Sequence, residues 1–202
     1  VSSVAVYGPS ARYGTARTDE DTPLTTLPER AYYARSKRES EALVLAAHRE
    51  GRVWATAVRP DVIYGKRDRQ FVPRMATLIR RGAIPLIHGG RSTLAVVHAE
   101  NVARGIVLAA TSDVAAGKAY NLANDYDVSV RRFFELAGKG LGRRPLFIPT
   151  PLWAARSAMR AAKWLSRVLT AGRVTLISNS TLDFISRDNP FSSDRAKREL
   201  GW

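Results

Sequence analysis

Tyr33 and Lys37 are the two side chains in this sequence whose types and spacing best suit acid–base chemistry. They lie four residues apart in AYYARSKRES, residues 31–40, a segment with helical composition, so both would lie on one helix face. A cation held beside a phenol favours the phenolate and lowers the pKa of the hydroxyl, which lets the pair donate and accept a proton near neutral pH. Two solvated side chains on an amphipathic helix would show the same spacing. The surrounding elements must decide between these two interpretations.

The elements around this pair alternate between strand and helix patterns. VSSVAVYG, residues 1–8, is a β-rich run and is predicted to be a buried strand, and VWATAV, residues 53–58, is predicted to be the next strand. Between them a polar loop, 9–30, leads into a helix that runs to about Gly51, and RPDVIYG after the second strand is predicted to be a turn. Strand, helix and strand in this order make a parallel crossover unit, so we predict an α/β fold with a doubly wound parallel sheet.

After Gly65 the pattern changes to a second, smaller α/β region. Its predicted helices are QFVPRMATLIRRG, AENVARGIVLAATS and VRRFFELAGKGLG, and its predicted strands are IPLI, LAVVH and KAYNLAN. A further amphipathic and basic helix is predicted over 151–169, with Pro151 at a natural first-turn position. These patterns divide the chain into two regions, 1–66 and 67–202.

Composition and charge exclude several classes of protein. The chain has 202 residues, 45% of them hydrophobic and 25% charged, with no Cys and no apolar run of the length of a membrane span. This composition fits a globular, cytoplasmic protein without disulfides or thiolate metal sites.

The formal charge of +14 comes from 32 basic and 18 acidic residues. The basic residues are scattered, with no basic run interleaved with aromatic residues, so we expect an Arg-rich solvated surface and no nucleic-acid partner. Attraction of a phosphate-bearing ligand is a secondary interpretation. A basic amphipathic helix such as 151–169 can also rest on a membrane surface, although covering a core is the more common role and the one favoured here.

Five segments together carry a family resemblance. They are the strand end SSVAVYG, the helix YYARSK, the turn RPDVIYG, the helix VVHAENVARGIVLA and the strand AYNLAND, in that order. They resemble the extended short-chain dehydrogenase/reductase superfamily, and more narrowly its NAD-dependent epimerase/dehydratase and 3β-hydroxysteroid-dehydrogenase-like branches. The resemblance covers nearly the whole chain. It implies that 1–66 is the C-terminal part of a Rossmann-like NAD(P)-binding domain and that 67–202 is mainly a substrate-binding region.

The resemblance implies roles for three catalytic residues. Ser3 matches the serine that hydrogen-bonds the substrate oxygen, and Ser2 beside it would point to the other face of the strand. Tyr33 matches the tyrosine that exchanges a proton with that oxygen, whereas Tyr32 has Ser36, not a lysine, four residues on. Lys37 would hold the ribose hydroxyls of the nicotinamide nucleotide and lower the pKa of the tyrosine.

The resemblance also implies a cofactor, NAD or NADP. Pro60, Val62 and Ile63 fall where the family's loop closes over the nicotinamide; the alternative is a simple strand-ending turn. The superfamily's glycine-rich phosphate loop, G-x-x-G-x-x-G, is absent from this sequence. We therefore interpret the chain as a fragment that is inactive in isolation and lacks the N-terminal half of the nucleotide-binding domain.

The substrate is a small molecule under this interpretation, but its class is open. Sugar-nucleotide epimerases usually carry an Arg four residues before the histidine that matches His98, and here Leu94 occupies that position. Arg91 could replace that Arg only if its loop curls back. This departure favours a hydroxysteroid-like or other apolar alcohol over a nucleotide sugar.

The predicted reaction is hydride transfer at a secondary alcohol or ketone by an oxidoreductase or epimerase, with a homodimer as a possible state of the complete protein. A non-catalytic protein that keeps the same fold as a scaffold or dinucleotide sensor is the alternative. No spacing of His with carboxylates indicates a metal site.

Overall fold

The computed structural model describes residues 1–8, 17–123, 127–170, 186, 188 and 190–202, with the backbone alone for 163–170. Over these residues the chain forms the following helices and strands: α1 (Tyr32–Arg49), β1 (Ala57–Pro60), β2 (Val62–Tyr64), α2 (Phe71–Arg80), β3 (Ala83–Ile87), β4 (Val96–His98), α3 (Ala99–Ala110), β5 (Ala119–Leu122), α4 (Val130–Gly140), β6 (Leu146–Thr150), α5 (Leu152–Thr170) and α6 (Asp194–Leu200). None of the described helices has the length and apolar character needed to cross a membrane.

The chain divides into two compact units that are interleaved in sequence. The first unit contains Val1–Asp68, Ala95–Tyr126 and Pro190–Trp202, and the second contains Arg69–Leu94 and Asp127–Asn189. A single boundary after residue 66 therefore does not describe the compact units, because β4, α3 and β5 fold back into the first one. Whether the units separate cofactor binding from substrate binding stays a prediction.

The prediction of a strand over residues 1–8 is wrong. Residues 1–3 are extended, and the Ser2 backbone N–H donates to the Val58 carbonyl at 2.8 Å. A 3₁₀ helix then runs over Val4–Tyr7 and ends at Gly8, whose φ of 92° favours glycine. The alternating valines indicated a strand, but the Ser3 hydroxyl accepts the Ala5 backbone N–H at 3.2 Å and stabilises the turn instead.

Two further boundaries differ from the sequence patterns. The strand expected over 53–58 begins only at Ala57. Val53 and Trp54 lie before it and have side chains that are nearly half exposed. The segment RPDVIYG, expected to be a turn, contains the end of β1 and the whole of β2. β6 was not predicted from the sequence.

The first unit is built on parallel strand pairs covered by helices. β1 pairs with β5 from Ala57↔Ala119 to Pro60↔Leu122, and β2 pairs with β4. The parallel pairing and the interleaved helices confirm the α/β class. The core of this unit comprises these buried residues: Val58, Val97, Val102, Ala109, Ala115, Tyr120, Leu122, Ala196 and Leu200. A Cβ at Gly105 would lie 2.6 Å from the Leu122 side chain and 2.9 Å from the Trp202 ring nitrogen, so a larger residue would force these side chains to shift.

The second unit contains the parallel pair β3–β6, with register from Ala83↔Leu146 to Ile87↔Thr150. Ile84 and Leu86 are buried on one face of this ribbon. The Phe133 ring of α4 lies 5.8 Å from the Phe71 ring of α2, between ring centroids. The two helices therefore share an aromatic contact within the unit.

Candidate active site

The first turn of α1 carries the Tyr33–Lys37 pair, as its spacing predicts. The Lys37 ammonium lies 6.0 Å from the centroid of the Tyr33 ring, so the two side chains occupy one face of the helix. Tyr33 is 61% exposed and Tyr32 is 75% exposed. Both phenols are therefore open to a ligand, but only Tyr33 has the ammonium beside it.

Lys37 connects this helix to the segment that contains Ser3. Its Nζ donates a hydrogen bond to the Val1 carbonyl oxygen at 3.1 Å. Arg38, the next residue of α1, donates to the Val6 carbonyl and, at 2.9 Å, to the Thr25 carbonyl. Cations from one helix thus bind backbone oxygens on both sides of Ser3. The structure brings the serine segment and the tyrosine helix together, although the two are about 30 residues apart in sequence.

Ser3 is held in a defined conformation by a hydrogen bond between its side chain and the backbone two residues further on. It is extended, with φ of −165°, and its partly buried hydroxyl oxygen accepts the Ala5 N–H. A serine hydroxyl that accepts one hydrogen bond retains its own proton for donation to a ligand oxygen. Ser2 is buried, and its hydroxyl has no hydrogen-bond partner among the described residues.

The proposed cofactor segment lies where β1 passes into β2. Pro60 is buried at the end of β1, and the Asp61 backbone N–H donates to the Leu122 carbonyl at 3.2 Å. Val62 and Ile63 of β2 are 38% and 41% exposed. The segment therefore presents branched apolar side chains on a backbone fixed by parallel pairing. Because Val62 and Ile63 are consecutive strand residues, they point to opposite faces, and one of the two suits contact with a flat ring.

A buried ion pair attaches α1 to the end of β1. The Arg59 Nε donates to both carboxylate oxygens of Glu41, at 3.2 and 3.1 Å, and the two side chains are each only 7% exposed. Glu41 lies four residues after Lys37, and Arg59 immediately precedes Pro60. The pair therefore joins the helix of the Tyr33–Lys37 pair to the strand of the proposed cofactor segment.

The same guanidinium continues the network to Tyr7 and Asn121. Arg59 Nη1 donates to the Tyr7 hydroxyl at 2.6 Å, and that hydroxyl donates to Asn121 Oδ1 at 3.0 Å. The Tyr7 ring stacks on Phe191, with ring centroids 5.5 Å apart. Burial raises the pKa of Tyr7 to about 12, against the opposing charge of Arg59 and the hydrogen bond to Asn121. Tyr7 is therefore a neutral structural phenol.

Sequence reasoning missed this network. Tyr7, Arg59 and Asn121 all lie in segments that carried the family resemblance, SSVAVYG, RPDVIYG and AYNLAND. Glu41 continues the spacing of four from Tyr33 through Lys37, which was the one local signal for its position on the same side of α1. Burial of these polar groups depends on contacts between distant segments, which spacing alone does not reveal.

The remaining sequence candidates have separate surroundings. Arg91 lies in the second unit, exposed, after a turn in which His88, Gly89 and Gly90 all have positive φ. Its role toward a substrate stays a prediction.

Leu94 is 2% exposed, so its side chain packs in the core. His98 accepts the Glu100 N–H at 3.4 Å and caps α3. Over the described residues, no cluster of His, Asp and Glu could hold a metal ion.

Comparison with known proteins identifies relatives over most of the chain. The model of the NAD dependent epimerase/dehydratase family matches residues 1–123. The 4-hydroxy-2-methyl-3-oxo-4-farnesyl-3,4-dihydroquinoline-1-oxide ketoreductase of Stigmatella aurantiaca is 31% identical over 184 residues, which cover 91% of this chain and 54% of the relative. The decarboxylating sterol-4-alpha-carboxylate 3-dehydrogenase of Bos taurus is 33% identical over 158 residues, covering 75% of this chain and 43% of the relative.

A solved structure shows the same fold. The dTDP-glucose 4,6-dehydratase of Bacillus anthracis, in complex with NAD, superposes with a TM-score of 0.63 at 18% identity, over 100% of this chain and 54% of that one. The chain spans about half the length of the curated relatives it matches. Since the family match covers more than half of the sequence, the chain belongs to the NAD-dependent epimerase/dehydratase family of the extended short-chain dehydrogenase/reductase superfamily.

Proposed function

We propose that the complete protein is an NAD(P)-dependent oxidoreductase that transfers a hydride at a secondary alcohol or ketone of an apolar substrate. The observation that carries this proposal is the contact of Lys37 with the Val1 carbonyl at 3.1 Å. It places the segment of Ser3 beside the helix of Tyr33. The three side-chain types needed to bind and protonate a substrate oxygen therefore occur in one part of the first unit.

In this proposal the chain's residues manage the proton and the nicotinamide supplies or accepts the hydride. Tyr33 donates its hydroxyl proton to the substrate oxygen during reduction and recovers one during oxidation. Ser3 donates a hydrogen bond to the same oxygen and orients the reacting carbon. Lys37 would bind the ribose hydroxyls, and the segment from Pro60 to Ile63 would contact the nicotinamide through backbone groups and the apolar side chain of Val62 or Ile63.

The apolar substrate class rests on two observations. Leu94 occupies the position where a diphosphate-binding arginine would be expected, and its side chain is buried. Two relatives act on apolar compounds by their names, a farnesyl dihydroquinoline oxide and a sterol carboxylate. A hydroxysteroid-like or isoprenoid alcohol or ketone is therefore the proposed substrate class.

The catalytic assignment is tested by comparing Tyr33→Phe with Tyr32→Phe in the complete protein. Both variants remove one exposed phenolic hydroxyl from the first turn of α1. Tyr33→Phe should reduce kcat by about 10²-fold or more with little change in cofactor affinity, as expected for loss of a general acid. Tyr32→Phe should leave kcat unchanged. Near-normal turnover in Tyr33→Phe would remove Tyr33 from the mechanism.

The substrate class is tested with a panel of 3β-hydroxysteroids and prenylated ketones against uridine and thymidine diphosphate sugars. We expect turnover of the apolar compounds with a KM that barely changes with salt, because no diphosphate is bound. Tight and salt-sensitive binding of a nucleotide sugar would contradict this substrate class. Arg91 would then be the first residue to replace.

A further inference from the structure

The charge of the chain is divided unequally between the two units. Each unit contains 16 basic residues, but 14 of the 18 acidic residues lie in the first unit and only 4 in the second. The second unit therefore has a formal charge of +12 and the first a charge of +2. The basic residues are scattered as the sequence indicated; the asymmetry arises from the acidic ones.

Four arginines of the second unit gather at one end of the β3–β6 ribbon. Arg80 and Arg81 lie at the end of α2 and precede β3, and Arg143 and Arg144 lie between α4 and β6. Because the strands are parallel and Ala83 pairs with Leu146, both arginine pairs lie at the same end of the ribbon. The Leu146 N–H donates to the Gly82 carbonyl at 2.7 Å, so the two backbones are already adjacent one residue before Ala83.

These four guanidinium groups face solvent without local neutralisation. All four residues are exposed, and among the described residues none of the four forms an ion pair, whereas Arg131 and Arg132 pair with Glu135. Concentrated like charge without acidic partners is unfavourable for the folded unit by itself. An anionic partner would relieve this repulsion.

The outer face of the same ribbon is apolar. Leu146 is 67% exposed and Ile148 is 45% exposed, and their register partners Ala83 and Pro85 are exposed as well. The alternate residues Ile84 and Leu86 face the core. A ribbon that faces water on one side normally alternates apolar and polar residues, whereas here both faces are apolar.

We propose that this surface, the outer face of β3–β6 together with Arg80, Arg81, Arg143 and Arg144, docks on an anionic lipid membrane. Guanidinium groups bind phosphate and carboxylate headgroups, and leucine, isoleucine and proline side chains enter the boundary between headgroups and acyl chains. A nucleic acid would bind the arginines through its phosphates, but it would gain little from a flat aliphatic face. Proteins bind nucleic acids through phosphate contacts and through stacking of bases on aromatic side chains. The proposal does not depend on the catalytic assignment.

The test is flotation of the protein with vesicles on a density gradient, which separates vesicle-bound protein from aggregates that remain at the bottom. The probes are phosphatidylcholine vesicles with about 30% phosphatidylserine and pure phosphatidylcholine vesicles. We expect binding to the anionic vesicles, weakening with salt, and at least tenfold weaker binding to the neutral ones.

Two pairs of variants separate the contributions of charge and apolar surface. Arg143→Ala/Arg144→Ala should weaken binding about 25-fold, at roughly fivefold for each of the two charges removed. The control Arg30→Ala/Arg104→Ala removes the same charge from exposed positions of the first unit and should change binding less than twofold. Leu146→Thr/Ile148→Thr should weaken the binding that persists at high salt, whereas Leu43→Ala/Val107→Ala, at exposed positions of the first unit, should not.

Circular dichroism verifies the fold of each variant, and Arg80→Ala/Arg81→Ala replaces the Arg143/Arg144 variant if the latter unfolds. Equal binding to neutral and anionic vesicles, or equal loss in the test and control variants, would overturn the proposal. Binding to duplex DNA that needs the four arginines but not Leu146 and Ile148 would also overturn it, in favour of a nucleic-acid surface.

Discussion

Tyr7 shows how one buried polar group is made tolerable in this fold. Its hydroxyl accepts from Arg59 and donates to Asn121, so both its acceptor and its donor capacities are used. The guanidinium carbon of Arg59 also lies 4.9 Å from the centroid of the Tyr7 ring. Loss of the Tyr7 hydroxyl leaves Arg59 and Asn121 without this hydrogen-bond partner, which lowers the free energy of unfolding by about 1–3 kcal/mol.

Tyr7→Phe should therefore change both the stability and its dependence on pH. Tyr7 has a pKa of about 12 when folded, against 10.0 as the ordinary value. A group whose pKa is higher in the folded protein than in the unfolded chain contributes its full stabilisation at pH values below its pKa in the unfolded chain. That contribution is lost as the pH rises through its pKa in the folded protein. Two pKa units correspond to about 2.7 kcal/mol.

Denaturant unfolding of wild type and Tyr7→Phe between about pH 8 and 11 measures this contribution. The variant should be less stable at pH 8, and the difference should narrow as pH rises above about 10, since only the wild type loses the contribution of Tyr7. A difference that stays constant across this range would mean that the folded state does not shift the pKa of Tyr7.

The proximity of two candidate site residues was predictable from sequence only where chemistry and spacing coincide locally. Tyr33 and Lys37 are neighbours because helix geometry places residues four apart together, and their 6.0 Å separation from ammonium to ring follows from that spacing. Tyr7 and Arg59 meet across about 50 residues of chain. No local sequence pattern predicts this contact, so the polar network of Tyr7 and Arg59 could be identified only from the structure.

The Glu41–Arg59 pair fixes helix α1 to strand β1. Since both side chains are buried, removing one partner leaves the other charge unpaired in a place with little water. Glu41→Ala should destabilise the protein by about 3–5 kcal/mol in denaturant unfolding. The double variant Glu41→Leu/Arg59→Met should recover much of this loss, because apolar residues of similar size remove both charges.

The surface pair Arg52–Glu50 provides a matched control. Its side chains are 64% and 58% exposed, so Glu50→Ala should change stability by less than about 1 kcal/mol. A Glu41→Ala variant as stable as Glu50→Ala would contradict the structural role of the buried pair. A double variant no more stable than Glu41→Ala would show that Arg59 is needed by Tyr7 more than by Glu41.

Helices were predicted well and short strands less well. The periodic segments became α1 to α5 within a few residues of their expected ends, because amphipathic periodicity over 10 or more residues is a strong signal. The run VAVY alternates like a strand but forms a 3₁₀ helix, since a serine cap and a glycine with positive φ decide a four-residue segment. The missed strand β6 has apolar residues on both faces and so lacks the alternation of a half-buried strand.

The two units were not predictable as such from the order of the elements. The pattern change after Gly65 indicated a second region, and Arg69 does begin the second unit. The return of β4, α3 and β5 to the first unit is a consequence of parallel pairing, in which β5 lies beside β1 despite about 60 residues between them. Parallel pairing requires long connections, and a whole compact unit can form within one of them.

The 202-residue chain by itself should bind only the nicotinamide half of the dinucleotide. We propose that Lys37 and the segment from Pro60 to Ile63 contact the nicotinamide and its ribose, but the sequence contains no G-x-x-G-x-x-G loop to bind the pyrophosphate at a helix N-terminus. Calorimetry with micromolar NAD or NADP should therefore show no measurable binding to this chain.

Nicotinamide mononucleotide makes this last expectation sharper. If the chain contacts only the nicotinamide end, the mononucleotide and NAD should bind with the same weak affinity at millimolar concentrations, because the adenosine half adds no contact. Lys37→Ala should weaken both ligands equally, and Arg30→Ala, at an exposed position of the loop before α1, should weaken neither. NAD binding much more tightly than the mononucleotide would show that other residues of this chain hold the pyrophosphate.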